Sequence, residues 1–256
     1  MSDKKIVLLA ATHLTTDIVY NCLNKEFGID TVILEQPENK KIFIRRRIKR
    51  LGWMKVTGQI SFQLLISKPL TIFSKKRVAE IIREHRLDVT AIDPAKIVNV
   101  PSVNSPQAIA LLKELQPDLI IVNGTRIISK KVLAAVNCRF INTHAGITPK
   151  YRGVHGTYWA LANNDAANSG VTVHFVDEGI DTGSIISQDF VTPTAKDNFS
   201  TYPLLQIAKG VGLLKQAVKD HFAGSIVLKR NEMESKLWYH PTFFEYIINR
   251  IKRNVK

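Results

Sequence analysis

The chain has 256 residues, 45% of them hydrophobic and 23% charged, and a formal net charge of +14. That length buries the core of one full domain with an appendage or of two small domains, and the composition excludes disordered and fibrous classes. Two cysteines, Cys22 and Cys138, without Cys-x-x-Cys spacing exclude a disulfide framework and a zinc site, so both read as small buried apolar residues in a reducing compartment.

Ile6 to Ala10 is a continuous apolar run, the pattern of a strand buried on both faces. Thr15 or Thr16 is placed to cap a helix carrying Ile18, Val19, Cys22 and Leu23, and Thr31 to Leu34 reads as a second strand. Strand, helix and strand with short joints predict a βαβ unit and a parallel sheet with helices on both faces. The first joint, Ala11 to Thr15, has no glycine, which excludes the Gly-x-Gly-x-x-Gly loop of a dinucleotide site. His13 lies in that joint, within reach of a ligand or fixed in a turn.

Residues 39–86 read as a basic helical insertion. Ile44, Ile48 and Leu51 recur on one face among Arg45, Arg46, Arg47, Lys49 and Arg50, with breaks expected at Gly52 and Gly58. Ile60, Phe62, Leu64, Leu65 and Ile66 suggest a second buried segment, and Val78, Ile81 and Ile82 face inward on a further helix. The charge is local, since residues 40–55 hold eight basic residues and 250–256 four more, neither with an acid. A solvated helix covering a sheet edge and attraction to an anionic surface are both compatible with this segment.

Asp88 to Ile92 and Lys96 to Val100 are short strand candidates, and Ser105 caps a helix that opens with Pro106. Asp118 to Val122 reads as a central strand. Asn123, Gly124, Thr125 and Arg126 follow it, at the carboxyl end where open parallel sheets bind ligands. Phe140 to Thr143, Val171 to Val176 and Ser184 to Phe190 are further strands. Leu204 to Phe222 is an amphipathic helix, and residues 223–256 carry an apolar stripe of Trp238, Phe243, Phe244, Ile247, Ile248 and Ile251.

Asn142, His144 and Asp181 fall at the ends of these strands, among loops shaped by Gly146, Pro149, Gly153 and Gly156. An asparagine amide donates to an oxyanion, a histidine donates or shuttles a proton, and a carboxylate holds that histidine's charge and orientation. No serine or cysteine lies in the loop beside His144, which argues for direct acyl transfer to an amine rather than a covalent intermediate. A single Asp-Thr-Gly, at Asp181, does not make an aspartic protease, which needs two carboxylates.

Asn142-Thr143-His144, Pro149 to Gly153, Trp159-Ala160, Gly170 to His174 and Asp177 to Gly183 with Gln188 together resemble the 10-formyltetrahydrofolate-dependent formyltransferase family. The resemblance is close over residues 140–188 and looser over 1–195. It implies a Rossmann-like, mostly parallel α/β fold with a catalytic domain over 1–195 and a short helical appendage over 196–256. It implies 10-formyltetrahydrofolate as cosubstrate and no metal. Asn142 and protonated His144 would stabilise the oxyanion, and Asp181 would orient the histidine and assist proton removal.

Asn123, Gly124, Thr125, Arg126 and Ile127, with Val176, Asp177, Glu178 and Gly179, are the residues expected to hold the folate. His13, Tyr151, Arg152 and Gly153 are the acceptor-side candidates, with Tyr158 and Trp159 as aromatic neighbours.

The chain departs from the family in having Ala145-Gly146 after its histidine. It also lacks the phosphate loop of glycinamide ribonucleotide formyltransferases after the first strand. The 65 residues after Val191 read as one helix and a tail rather than the extra domain of methionyl-tRNA formyltransferases. The expected acceptor is therefore a small-molecule amine, a nucleotide-linked amino sugar of surface polysaccharide synthesis, with glycinamide ribonucleotide and charged tRNA as alternatives and no nucleic-acid partner. The non-enzymatic alternative is a basic module binding anionic surfaces. No apolar run reaches the ~18 residues of a membrane span and the N-terminal run is too short for a signal peptide, so a cytoplasmic location is expected. A homodimer contact or a lipid contact would occupy the C-terminal stripe, and residues 40–55 suit weak association with the inner membrane face.

Overall fold

The computed structural model describes residues 4–256. Its organising element is a seven-stranded sheet with the order β3-β2-β1-β4-β5-β7-β8. The chain enters through β1 (Ile6–Ala11), α1 (Leu14–Phe27) and β2 (Thr31–Glu35). A helical segment follows: α2 (Lys40–Leu51), α3 (Trp53–Phe62), a π-helical turn (Gln63–Ser67), α4 (Lys68–Phe73) and α5 (Lys75–Glu84). The sheet resumes with β3 (Ile97–Val100), α6 (Pro106–Leu115), β4 (Leu119–Asn123), α7 (Lys130–Leu133) and β5 (Arg139–His144). Then come β6 (Arg152–Gly153), α8 (Gly156–Ala162), β7 (Gly170–Phe175) and β8 (Ile185–Phe190). The chain closes with α9 (Tyr202–Ala223), β9 (Leu237–Trp238) and α10 (Phe243–Arg253).

Strands β3, β2, β1, β4 and β5 are parallel, while β7 and β8 add antiparallel to that edge. The side-chain period of two sorts the central strands onto two cores. Ile6, Leu8, Leu119 and Ile121 face α1 and α9, while Val7, Leu9, Ile120 and Val122 face α6 and α7. Both faces are covered, as the continuous apolar runs require. Each fully buried aliphatic side chain of this kind contributes about 1.5–3 kcal/mol.

No break in packing marks residue 195. Leu214, Ala217 and Val218 of α9 sit in the same core as β1 and β4, so α9 completes the sheet's cover rather than hanging from it. A separate aromatic core joins Phe62 of α3, Tyr158 and Trp159 of α8, Phe199, and Tyr246 of α10. The two-stranded β6-β9 ribbon lies beside it. Arg77 of α5 pairs with the buried carboxylate of Asp197 at 2.8 Å, which ties the helical segment to the sheet domain.

Several local expectations are corrected. The cap of α1 is His13, whose Nδ1 accepts from the Thr15 amide at 3.2 Å, while Thr16 donates its hydroxyl to Ala11 O. Residues 88–92 form no strand, because the carbonyls of Asp88 and Thr90 accept from the Asn21 side chain instead of from a neighbouring strand. Gly52 does end α2 at φ +82°, but Gly58 lies inside α3, where its lack of a side chain admits Thr242. Of the apolar residues between Ile60 and Ile66, only Phe62 is fully buried. The C-terminal stripe divides, with Phe243 and Ile247 against the aromatic core and Phe244, Ile248 and Ile251 exposed. Cys22 and Cys138 are half-buried free thiols rather than fully buried residues.

Candidate active site

The strand order reverses at β1 and β4, and ligands in open sheets bind outside the carboxyl ends of strands near such a reversal. Asn142 and His144 lie at the carboxyl end of β5, and β7 pairs with it so that Asn142 stands opposite His174. The loop between β7 and β8 brings Asp181 to both histidines.

Hydrogen-bond partners fix the rings. His174 Nδ1 lies 2.7 Å from Phe175 O, which can only accept, so that nitrogen carries the proton. Its Nε2 is then free to accept from Asn142 Nδ2 at 3.1 Å. His144 Nε2 donates to Tyr151 O at 2.7 Å, and its Nδ1 stands 3.4 Å from Asp181 Oδ2. Both nitrogens of His144 thus face acceptors, an environment that a doubly protonated ring satisfies.

Asp181 is itself held from several sides. Its Oδ2 accepts from the Gly153 amide at 2.9 Å, and its Oδ1 lies 3.6 Å from His174 Nε2. Burial pushes the carboxyl upward, yet the charge of His144, the nearby His174 ring and the Gly153 amide outweigh it and hold the group well below the usual carboxylate range. Asp181 adopts φ +51°, a left-handed conformation that aspartate tolerates better than most residues.

Two glycines make this geometry possible. A side chain on Gly146 would crowd both His144 Nε2 and Tyr151 O, the two ends of their hydrogen bond. Gly153, at φ +95°, lets β6 lie against β9 while its amide reaches Asp181.

The remaining expected residues divide. Arg126 bonds Glu35 Oε2 at 2.9 Å and Gln36 O at 2.6 Å, and Asn123 donates to Thr16 Oγ1 at 2.9 Å, so both side chains shape their loop. Gly124 has open space around it, and Ile127 is exposed, which leaves an uncovered apolar edge at this strand end. Val176 packs with Ile128 in one cluster, and Glu178 meets Lys130 at 3.1 Å, so the loops 123–127 and 176–181 adjoin. Asp177 braces its own loop by accepting from Gly179 N and Thr182 Oγ1.

Tyr151 is corrected. Its ring is buried with the hydroxyl on Asp165 at 2.7 Å, and its carbonyl, not its side chain, reaches the site. Tyr158 and Trp159 are core residues. His13 is spent on capping α1.

Arg152 donates to Ile180 O at 3.0 Å and lines a cleft of about 410 Å³ that opens on Asp181. The far wall is Lys229, Arg230 and Asn231, which the sequence reading passed over because they lie in a stretch without periodicity. Asn231 donates to Thr148 O at 3.1 Å and Lys229 N to Ile185 O at 2.8 Å, which anchors that wall. His174 was also missed as a site residue, although it closes the Gly170 to His174 run, because its facing of Asn142 is a cross-strand register. Among the described residues no cluster of His, Cys, Asp and Glu has the arrangement of a metal site.

The sequence pattern of the family described as Formyl transferase matches residues 65–203, more than half of the chain. The chain belongs to the formyl transferase family. Its similarity extends to the methionyl-tRNA formyltransferase of Pelotomaculum thermopropionicum, 35% identical over 136 residues, which are 53% of this chain and 41% of that protein. The chain therefore spans less than half the length of such curated relatives.

Family likeness is also visible in the fold. The phosphoribosylglycinamide formyltransferase of Streptococcus pneumoniae TIGR4 superposes with a TM-score of 0.55 at 21% identity, over 86% of this chain and 99% of that one. A sugar N-formyltransferase from Shewanella sp FDAARGOS_354 gives 0.56 at 16% identity, over 91% and 76%. A sugar 3N-formyl transferase in the presence of dTDP and 5-N-formyl-THF gives 0.54 at 17%, over 93% and 70%. Residues 65–203 contain the whole Asn142, His144 and Asp181 arrangement, whereas α2 and α3 precede the match.

Proposed function

We propose that the chain moves the formyl group of 10-formyltetrahydrofolate to the primary amine of a nucleotide-linked amino sugar. The observation that carries the reading is the convergence of Asn142, His174, Asp181 and His144, linked by the Asn142–His174 hydrogen bond and by approaches of 3.4 and 3.6 Å to Asp181, beside an open cleft. The folate supplies the formyl carbon, held at the edge formed by Asn123 to Ile127 and Val176 to Gly179.

Asn142 spends one amide hydrogen on His174, and the second is available to the formyl oxygen as it gains charge. The His144 proton on Nδ1 meets Asp181 only at 3.4 Å, too long for a strong hydrogen bond, which leaves it available to be shared with the same oxygen. Asp181, kept ionised, balances the imidazolium and accepts the proton that the attacking amine gives up.

Around the cleft Arg152, Lys229 and Arg230 outnumber Asp181 and Glu232, a basic excess suited to an acceptor that carries a pyrophosphate. A methionyl-tRNA acceptor is the second reading, favoured by the 35% identity over 136 residues. The test is tetrahydrofolate release with a panel of nucleotide-linked amino sugars, glycinamide ribonucleotide and charged initiator tRNA. Turnover on an amino sugar is expected. Turnover on tRNA or glycinamide ribonucleotide alone replaces the acceptor, and none on any member of the panel removes the reading.

A further inference from the structure

Between Asn39 and Ala79 the chain has twelve basic residues and no acidic one. Among the described residues only Arg46 and Arg77 of these reach a carboxylate within 4 Å, Arg46 on Glu38 and Arg77 on Asp197 and two glutamates. The remaining ten have no carboxylate partner, although Arg47 bonds Gln59 and Arg50 lies over the Tyr239 ring. Lone surface charges are ordinary, but these share their surface with large apolar side chains. Trp53, Met54, Phe73, Phe244 and Ile251 are each at least 67% exposed, and Leu64, Leu65, Ile72 and Ile248 are more than half exposed.

Packing puts several of these side chains, on α3 with the turn that continues it and on α10, on one layer. Gly58 meets Thr242, and four residues on, the Phe62 ring meets Tyr246 with centroids 5.2 Å apart, so α3 and α10 run side by side in the same direction. Both press their inner faces, Phe62 and Tyr246, into the aromatic core. At 100° per residue, Leu64 lies opposite Phe62, and Phe244 and Ile248 lie opposite Tyr246, so both crests point away from that core. Ile251 continues the second crest at the i, i+4, i+7 spacing. Helix α2, which has no buried residue, brings its basic side chains alongside α3 through the bond from Arg47 to Gln59 at 2.8 Å.

We propose that this helical layer rests on an anionic lipid bilayer, with the crests of α3 and α10 seated at the boundary between headgroups and acyl chains. Its free lysines and arginines then lie over the headgroup phosphates. Basic residues interleaved with aliphatic and aromatic ones on helices lying in one plane are what an interfacial site requires. Charge decides against a second copy of the chain. A two-fold interface would set this strongly basic surface, in which Glu245 of α10 is outnumbered by lysines and arginines, against itself, like charge facing like. Aliphatic chemistry decides against nucleic acid, since leucine and isoleucine offer phosphates and bases neither stacking nor hydrogen bonds. The inference stands independently of the acceptor.

The test is cosedimentation of the full chain with vesicles of phosphatidylcholine alone and of phosphatidylcholine mixed with phosphatidylglycerol. Binding is expected to the mixed vesicles only, weakening as salt rises. Each basic residue near the surface is worth about fivefold in partitioning, so Arg45→Glu, Lys49→Glu and Arg50→Glu together should lower it by at least about tenfold. Leu64→Gln, Phe244→Gln and Ile248→Gln, all at exposed positions, should abolish it while leaving the charges in place. In the unmodified protein, vesicles carrying brominated acyl chains should quench the emission of the exposed Trp53, an effect lost in Trp53→Phe. Absence of vesicle binding, binding indifferent to the apolar substitutions, or unquenched Trp53 overturns the proposal. A concentration-dependent dimer dissociated by the same apolar substitutions, without vesicle binding, assigns the layer to a second copy.

Discussion

The carboxyl end of β5 and the helical layer of α2, α3 and α10 handle polar and apolar groups in opposite ways. At β5 the charged and polar groups are buried and every ring nitrogen has a partner, so Asn142, His144, His174 and Asp181 are held in one geometry. In the helical layer the apolar groups are exposed and most charges lack partners. A region that spends its hydrogen bonds internally is pre-organised for chemistry, because its dipoles need not rearrange during reaction. A region that leaves charge and apolar surface unspent is built for a partner.

The largest expected effect breaks the first half of that comparison. Asn142→Ala, His144→Ala and Asp181→Ala should each lower formyl transfer by about 10²–10³ or more, the cost of one oxyanion donor. Far-ultraviolet circular dichroism should remain that of the parent. If the three positions are only a hydrogen-bonded corner of the fold, steady-state rates will stay near normal.

The junction of the two regions gives the next effect. His155 and His240, with ring nitrogens 3.0 Å apart, join the loop after β6 to the chain before α10. Burial, and then their mutual charge, holds His155 well below its ordinary value, while burial and the nearby Arg47 bring His240 to about 4. Both rings are neutral in the folded chain, so below about 6.5 the unfolded chain binds more protons. Stability is full above that pH and falls as pH drops toward about 4. The loss from His240 alone should be about 3 kcal/mol by urea unfolding, and His240→Gln should flatten that slope.

A smaller effect sharpens the account of the site. His174 positions Asn142, so His174→Leu should lower turnover about tenfold, roughly 1.4 kcal/mol in barrier. The KM for the amine should stay constant, and His174→Gln, which can still accept from Asn142, should recover part of the rate. A merely structural His174 would show loss of folded protein in both variants instead. The smallest effect belongs to the helical layer. Thr242 and Glu245 form a capping box at the start of α10, and Thr242→Ala should cost about 1 kcal/mol of stability without changing transfer.

How much of this was legible before the fold was seen depends on the range of the signal. The βαβ rhythm and the cap at Ser105 are local and stand as read, and the central strand, read as Asp118 to Val122, lies one residue later, at Leu119 to Asn123. The strands β7 and β8 were legible as two runs around a loop, but their antiparallel pairing at the edge of the sheet was not. What sequence could not carry was long-range. The fate of Asp88 to Ile92 was decided by Asn21, far away in the chain, and the continuity of Gly58 by Thr242. Tyr151 appeared available as an aromatic beside the histidine, but Asp165 supplied a buried partner for its hydroxyl. Lys229, Arg230 and Asn231 carry no periodic signal, and only the anchoring of Lys229 on Ile185 and Asn231 on Thr148 brings them to the cleft.

The central claim is that Asn142, His144 and Asp181 act together on a formyl group. Its most direct measurement is mass spectrometry of an amine acceptor incubated with 10-formyltetrahydrofolate and either the unmodified chain or Asp181→Asn, which keeps the side-chain shape but removes the charge beside His144. The account predicts N-formylated acceptor in step with tetrahydrofolate release for the unmodified chain and almost none for the variant. Equal product from both would contradict it.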